Sequence, residues 1–314
     1  MIEVVQAGLL DLVVDGVARR GLRYGLSEAG PVDAVAMRYA NRAVGNGHEA
    51  AALEMLLKGP TLAFAAPAVV AVAGGPLEPL VDGEPRPVGA AFAVSVAARL
   101  SFRSTRPGLR SYLAVRGGLA AEACLGSRST DLPSQLPGLA GRALAAGDRL
   151  ALGSLGGVHA DGRAATLPTE ALSLPPTALR VLPGPQWQGT PAAVRRHLLR
   201  AAFRVTPAAN RVGIVLEAEL PPPVWEVGTL VSEGTLAGSV QWTPAGRPVV
   251  LLVDRGSIGG YPKPLQVIAA DAWRAGQLRP GDTIRFVRTT RREAWQALAS
   301  VRAQCNLDGP GVPL

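Results

Sequence analysis

Two β-domains of barrel type with few helices are the fold this sequence predicts, and three observations lead there. Short runs of Val, Leu and Ile recur along the chain, separated by turns drawn from 37 Gly and 27 Pro. Many short strands joined by such turns are the pattern of barrels and sandwiches. A Gly-Asp turn entering an apolar run occurs twice, at Gly147-Asp148-Arg149-Leu150 and Gly281-Asp282-Thr283-Ile284, each near the end of one half. Finally, the chain has 314 residues, about twice the usual domain size.

Taken in order, strands are predicted at Glu3–Val5, Leu62–Phe64, Val69–Val72, Phe92–Val96, Leu100–Phe102, Arg110–Val115, Arg180–Val181 and Val249–Val253. The last is short, β-branched and unbroken, as a strand covered on both faces should be. Asp254 is expected at its end, and Gly259-Gly260-Tyr261-Pro262 to turn the chain. Three helices stand out. Asp33 to Val44 opens on a good N-cap and gathers Val35, Ala36, Tyr39, Ala40 and Ala43 on one side. Thr190 to Ala201 is predicted to start with Thr190 as N-cap and Pro191 as first helical residue. Arg291 to Gln304 places Trp295, Leu298 and Val301 at helical spacing. The Gly- and Pro-rich tract Gly153 to Pro176 predicts the boundary between domains of residues 1–157 and 165–314.

Composition narrows the function classes. Hydrophobic content of 48% suffices for two cores, and 4% aromatics make them aliphatic. The net charge of +8 raises the question of nucleic acid. It comes almost wholly from arginine, with lysine only at Lys58 and Lys263, and the arginines are scattered apart from Arg285, Arg288, Arg291 and Arg292. No aromatic-interleaved basic stripe accompanies them, which argues against a nucleic-acid partner. Cys124 and Cys305 stand alone, as in a reducing compartment. His48, His159 and His197 lack metal-ligand spacing, so no metal is expected. Met1 to Gln6 lacks the build of a signal peptide. The longest apolar run, Leu62 to Ala73, is too short for a bilayer and contains Pro67. The expectation is a soluble cytoplasmic protein that spans no membrane.

Chemistry concentrates between Ser232 and Pro262. Glu233, Gln241 and Asp254 flank predicted strand ends, with Gly259, Gly260 and Tyr261 in the turn beyond. Polar groups at the ends of rigid strands are where binding and catalytic side chains tend to lie. In the first half, Gly126-Ser127-Arg128-Ser129-Thr130 is the nearest approach to an anion-binding loop, with hydroxyls, backbone N–H groups and a guanidinium together. No nucleophile elbow, Walker A or GxGxxG is present, so no self-contained triad or nucleotide cradle is expected.

Several short motifs then follow in a fixed order: Gly30-Pro31-Val32-Asp33, Ala40-Asn41, Val44-Gly45-Asn46, Leu53-Glu54, Arg110-Ser111-Tyr112-Leu113, Gly117-Gly118, Gly126 to Asp131, Leu182-Pro183-Gly184-Pro185, Asn210-Arg211-Val212-Gly213, Ser232-Glu233-Gly234 and Gly259 to Pro262. In this order the chain resembles the biotin-dependent carboxyltransferase family that includes the C component of 5-oxoprolinase, also called allophanate hydrolase subunit 2 or KipA-like. The resemblance runs from about Val4 to about Val287. It departs from the family at Val13 to Ala18, where the Gln, Gly and Arg of a Val-Gln-Asp-x-Gly-Arg segment are missing. It implies two cyclophilin-like β-barrel domains with a few helices. It also implies an ATP-dependent 5-oxoprolinase that opens a lactam together with an A component and a KipI-like B component. Because a lactam is a poor electrophile, cations would grip phosphate and acids would orient water or polarise the lactam N–H. The implied catalytic residues are Glu233, Asp254, Arg211, Tyr261 and Gln241. Those implied for substrate or phosphate are Asp33, Asn41, Glu54, Arg110, Ser127, Arg128, Thr130, Asn210, Gly259 and Gly260. Two other readings come with the resemblance: a carboxyltransferase component using biotin carried on another protein, and a non-catalytic regulator binding a KipI-like kinase inhibitor.

Overall fold

A computed structural model of the chain describes residues 1–153, 177–226 and 230–305. The predicted boundary tract, beyond Gly153, lies outside the described residues. By its contacts the chain divides into two compact units, residues 1–21 with 28–174, and residues 22–27 with 175–314.

In the first unit the short apolar runs form two antiparallel sheets. One runs in the order Leu119–Ala120, Arg149–Leu152, Ile2–Gln6, Thr61–Phe64, Arg99–Ser104, Leu77–Val81, Glu84–Pro85. The other runs Asp11–Val14, Ala52–Leu56, Arg110–Val115, Ala68–Gly74, Ala91–Val94. Because strand side chains alternate between faces, residues two apart share the core. Ile2, Val4, Leu62 and Phe64 of one sheet meet Leu53, Met55, Val70, Val72, Leu113 and Val115 of the other in one aliphatic cluster. Each such side chain contributes about 1.5–3 kcal/mol by leaving water. Helix α1 (Ala34–Ala43) packs across Arg110–Val115 and Ala68–Gly74. Its predicted cap is present: Asp33 Oδ1 accepts from Ala36 N at 2.9 Å.

The second unit is a closed seven-stranded barrel in the order Ala178–Pro183, Leu265–Val267, Ser239–Trp242, Pro248–Leu251, Gly213–Ala218, Phe203–Ala209, Thr283–Arg288. Closure is made by a parallel pairing of Ala178–Pro183 with Thr283–Arg288. Phe203, Phe286 and Trp242 fill the interior with Val181, Leu216, Val240 and Ile284. The mainly β class is thus borne out. Helix α2 (Ala192–Arg200) begins one residue later than expected, with Pro191 rather than Thr190 at the N-cap. Thr190 Oγ1 instead donates to Gln186 O at 2.8 Å, so its side chain serves the preceding turn. A short helix, α3 (Ala269–Ala275), was not expected. The predicted C-terminal helix, α4 (Arg291–Gln304), carries a capping box between Thr290 and Glu293. None of its residues is buried, and Trp295 is exposed.

The two Gly-Asp turns make the same corner in both units. In the first, Gly147 N donates to Val4 O and Val4 N to Asp148 O, both at 2.8 Å. In the second, Gly281 N donates to Val205 O at 2.9 Å and Val205 N to Asp282 O at 2.8 Å. Each Asp side chain closes its own turn by accepting a backbone N–H three residues back, from Ala145 and Arg279. Both glycines have positive φ, +88° and +96°, a conformation that excludes most side chains.

Candidate functional site

In the second unit an acid, a lysine and two amide side chains converge. Glu233–Gly234 and Ile258–Gly259 form a two-residue antiparallel ladder, with Glu233 opposite Gly259. Lys263 Nζ lies 2.7 Å from Glu233 Oε1, and their side chains are 3% and 40% exposed. The same carboxylate oxygen accepts from Gln186 Nε2 at 2.6 Å. Gln186 Oε1 in turn accepts from Lys263 N at 2.8 Å, so one amide side chain locks the acid and the lysine together. The Lys263 ammonium and then the Gln186 amide hold the Glu233 carboxyl below the usual range, keeping it ionised.

Backbone geometry explains how these segments meet. Gly184 N donates to Pro264 O at 2.8 Å, and a Cβ on Gly184 would fall 2.1 Å from Lys263 O. Only glycine lets the 184–186 turn approach the lysine this closely. Trp242 N donates to Pro262 O at 2.9 Å, which brings Gln241 alongside. The Gln241 amide rests on Gly259, where a Cβ would lie 2.7 Å from Gln241 Nε2. Gly260 packs against Leu230 O and Ser232 Oγ, and Tyr261 is exposed.

Arg211 and Asp254 form their own pair. Arg211 Nε and Nη2 donate to the two Asp254 carboxylate oxygens at 2.7 and 3.0 Å, and both side chains are buried. The strand before Asp254 ends at Leu251 rather than Val253, because Leu252 N and Asp254 N turn away to donate to Val212 O and Arg211 O. Asn210 completes the facing turn, its Oδ1 accepting from Val212 N and Gly213 N at 2.8 and 3.2 Å. Of the residues expected here, Glu233, Gln241 and Gly259 converge with Lys263, while Arg211, Asp254 and Asn210 build the neighbouring turns.

In the first unit most of the expected residues fall into two buried networks, with Asn41 in a separate pair with Asn46. Tyr112 OH donates to Glu54 Oε2 at 2.7 Å and accepts from Asp33 N at 2.8 Å, while Val32 N also donates to Glu54 Oε2. Arg110 Nε lies 3.5 Å from Glu54 Oε1. Burial, then the Glu54 and Asp33 charges, push the Tyr112 hydroxyl well above its ordinary pKa. Asn41 Nδ2 donates to Ala50 O and its Oδ1 accepts from Asn46. The second network is the predicted anion-binding loop, and its anion is internal. Ser127 Oγ, Ser129 Oγ and Arg128 N all donate to the Asp15 carboxylate, at 2.7, 2.7 and 2.8 Å. Thr130 N and Oγ1 donate to Val13 O. Arg19, one residue past the segment that lacks the family arginine, is buried and pairs with Asp131 at 3.0 Å.

Residues 24–288 match the carboxyltransferase domain, subdomains A and B. The chain belongs to this carboxyltransferase-domain family. It is 33% identical over 300 residues to the C component of 5-oxoprolinase from Escherichia coli (strain K12), covering 95% of this chain and 94% of that protein. The crystal structure of TTHA0988 superposes with a TM-score of 0.81 at 43% identity, over 91% of this chain and 55% of that one. That of the K. lactis urea amidolyase superposes with a TM-score of 0.91 at 29% identity, over all of this chain and 20% of that one. The carboxyltransferase fold is therefore found both as a separate chain of this length and as a section of longer ones. Among the described residues no helix is long and apolar enough to cross a membrane.

Sequence reasoning missed Lys263 and Gln186. Gln186 lies 77 residues from its lysine partner, and no local pattern predicts such a contact. Lys263 did leave a trace. Among 32 basic residues it is one of only two lysines, the other being the exposed Lys58.

Proposed function

We propose that this chain is the C component of an ATP-dependent 5-oxoprolinase, acting with the A and B components to open the lactam of 5-oxoproline to glutamate. The observation that carries this reading is the 33% identity to the C component of a 5-oxoprolinase, end to end in both chains. The geometry supports a contribution from the Glu233, Lys263, Gln186 and Gln241 cluster. A buried ammonium beside a site open through Glu233 can stabilise negative charge developing on a carbonyl oxygen, and an ionised carboxylate can take up an N–H or orient water. ATP would activate the lactam oxygen as a leaving group. The Ser127-Arg128-Ser129 loop does not fit its phosphates, because the two hydroxyls and the Arg128 N–H are already given to Asp15. In this reading ATP is held with the partner components.

A second reading has a specific observation behind it. Superposition of the whole chain on part of the K. lactis urea amidolyase at a TM-score of 0.91 supports a carboxyltransferase component that uses biotin carried on another protein.

Mixing the purified components tests the first reading. The chain alone should show negligible 5-oxoproline-dependent ATP hydrolysis. Adding the A and B components of the same organism should restore it, with the chain co-eluting with the KipI-like B component in size-exclusion chromatography. Independent elution and an inert mixture would contradict the assignment to this complex. Carboxyl transfer from a biotinylated carrier to urea would establish the second reading.

A further inference from the structure

We infer that the groove between helix α4 and the chain at Gln266–Ala269 is a binding site for an amphipathic monocarboxylate, an apolar body carrying one carboxylate, as in a medium-chain fatty acid. The inference goes beyond the proposed function, since no residue of the Glu233–Lys263 cluster lines this groove. The groove has a volume of about 410 Å³, within the range of small-molecule sites, and its lining is almost wholly aliphatic and aromatic. Helix α4 contributes one stripe to it. Arg291, Ala294, Trp295 and Leu298 fall at i, i+3, i+4 and i+7, positions that share a helix face. Leu236, Val267 and Ile268 supply much of the remaining apolar surface. Trp295 is 70% and Leu236 62% exposed, and contiguous apolar exposure of this kind marks a binding surface.

The polar groups decide which apolar ligand fits. Gln266 is committed internally: Nε2 donates to Ala237 O and Val267 O at 2.8 and 3.0 Å, and Oε1 accepts from Ser239 Oγ at 2.8 Å. The backbone N–H groups of Val267 and Ile268 go to Gly238 O and Arg180 O. What is left is Arg291, the one charged residue of the lining. It forms no ion pair with a described residue. Glu293, the acid of the same turn, accepts instead from Thr289 Oγ1 and Thr290 N at 2.8 and 2.9 Å. As the first residue of α4, Arg291 also lies at the positive end of the helix dipole, where an anion is favoured. An added β-strand would need free backbone partners, and Val267 and Ile268 offer no N–H. A second copy would bring another Arg291 onto the same surface, where like charges repel. A carboxylate with an apolar tail meets both features: its head takes the guanidinium, and each CH₂ it buries adds to affinity.

Calorimetric titration of the purified full chain at neutral pH, each probe below its micelle concentration, compares octanoate with 1-octanol, octylamine and butanoate. Octanoate should bind about tenfold or more tightly than 1-octanol, the worth of a hydrogen bond to a charged group, and octylamine no better than the alcohol. Butanoate keeps the charge but loses half the chain, and should bind about tenfold or more weakly than octanoate. Arg291→Gln should remove the preference for octanoate over 1-octanol, and Trp295→Ala should weaken both. No residue of α4 is buried, so neither substitution should unfold the chain. The probe comparison uses the unaltered protein and stands even if a variant misfolds. Equal binding of octanoate and 1-octanol, butanoate as tight as octanoate, a preference kept in Arg291→Gln, affinity unchanged in Trp295→Ala, or no binding, with or without dimerisation of the chain, would each overturn the inference.

Discussion

At Asp11 a carboxylate lies buried at the start of a strand, 1% exposed, with Oδ2 accepting from Gly8 N at 2.6 Å. Its Oδ1 has no hydrogen-bond partner among the described residues. Burial, opposed in part by the Gly8 bond, raises its pKa from the ordinary 3.8 to about 7. The folded value lies above the unfolded one, so the fold favours the protonated acid. Its contribution is full below about pH 4 and is lost as pH rises through about 7. The gap corresponds to at most on the order of 4 kcal/mol. Asp11→Asn, which keeps the acceptor for Gly8 without ionising, should gain on the wild type as pH rises from 5 to 8 in urea denaturation. Parallel curves at both values would contradict the assignment. At this scale the sequence announced single polar residues but not their partners. Glu233 was visible, whereas the Lys263 and Gln186 that complete it come from segments 30 and 47 residues away, and only folding brings them together.

Elements were most legible where a cap or a periodic run marks them. Helix α1 was recognisable from Asp33, because a capping residue acts within one turn, and α4 from the spacing of Trp295, Leu298 and Val301. Helix α3 has seven residues and no side-chain cap bond, and the Glu233–Gly234 strand has two residues, so neither could leave a periodicity to read. The turn after Pro248–Leu251 bears on function directly. Two backbone bonds and the bidentate Arg211–Asp254 pair clamp residues 211–212 to 252–254. Because both side chains are buried, Asp254→Asn removes the charge that faces the Arg211 guanidinium, at a cost of about 3–5 kcal/mol. A drop in melting temperature of roughly 10 °C should follow. An unchanged melting temperature with lost turnover would place Asp254 in the chemistry instead of in the turn.

Over the whole molecule, repetition was the clearest sequence signal. The two Gly-Asp corners make matching hydrogen bonds to Val4 and Val205, and the order of motifs agrees with the family match over residues 24–288. How the first unit's strands sort into two sheets was not legible, since that order depends on pairings such as Ile2 with Leu150 that no local run encodes. The central claim is that this chain lends the Lys263 site to an activity shared with its partners. The most direct measurement is 5-oxoproline-dependent ATP hydrolysis by the three-component mixture carrying Lys263→Met. The substitution replaces a buried cation by an apolar side chain of similar length and leaves Glu233 40% exposed to water, so the fold and the complex should survive. Loss of a positioned charge of this kind lowers turnover about a hundredfold or more. Turnover reduced to that extent, with melting temperature and co-elution unchanged, is the predicted result; undiminished turnover in an intact complex would contradict it.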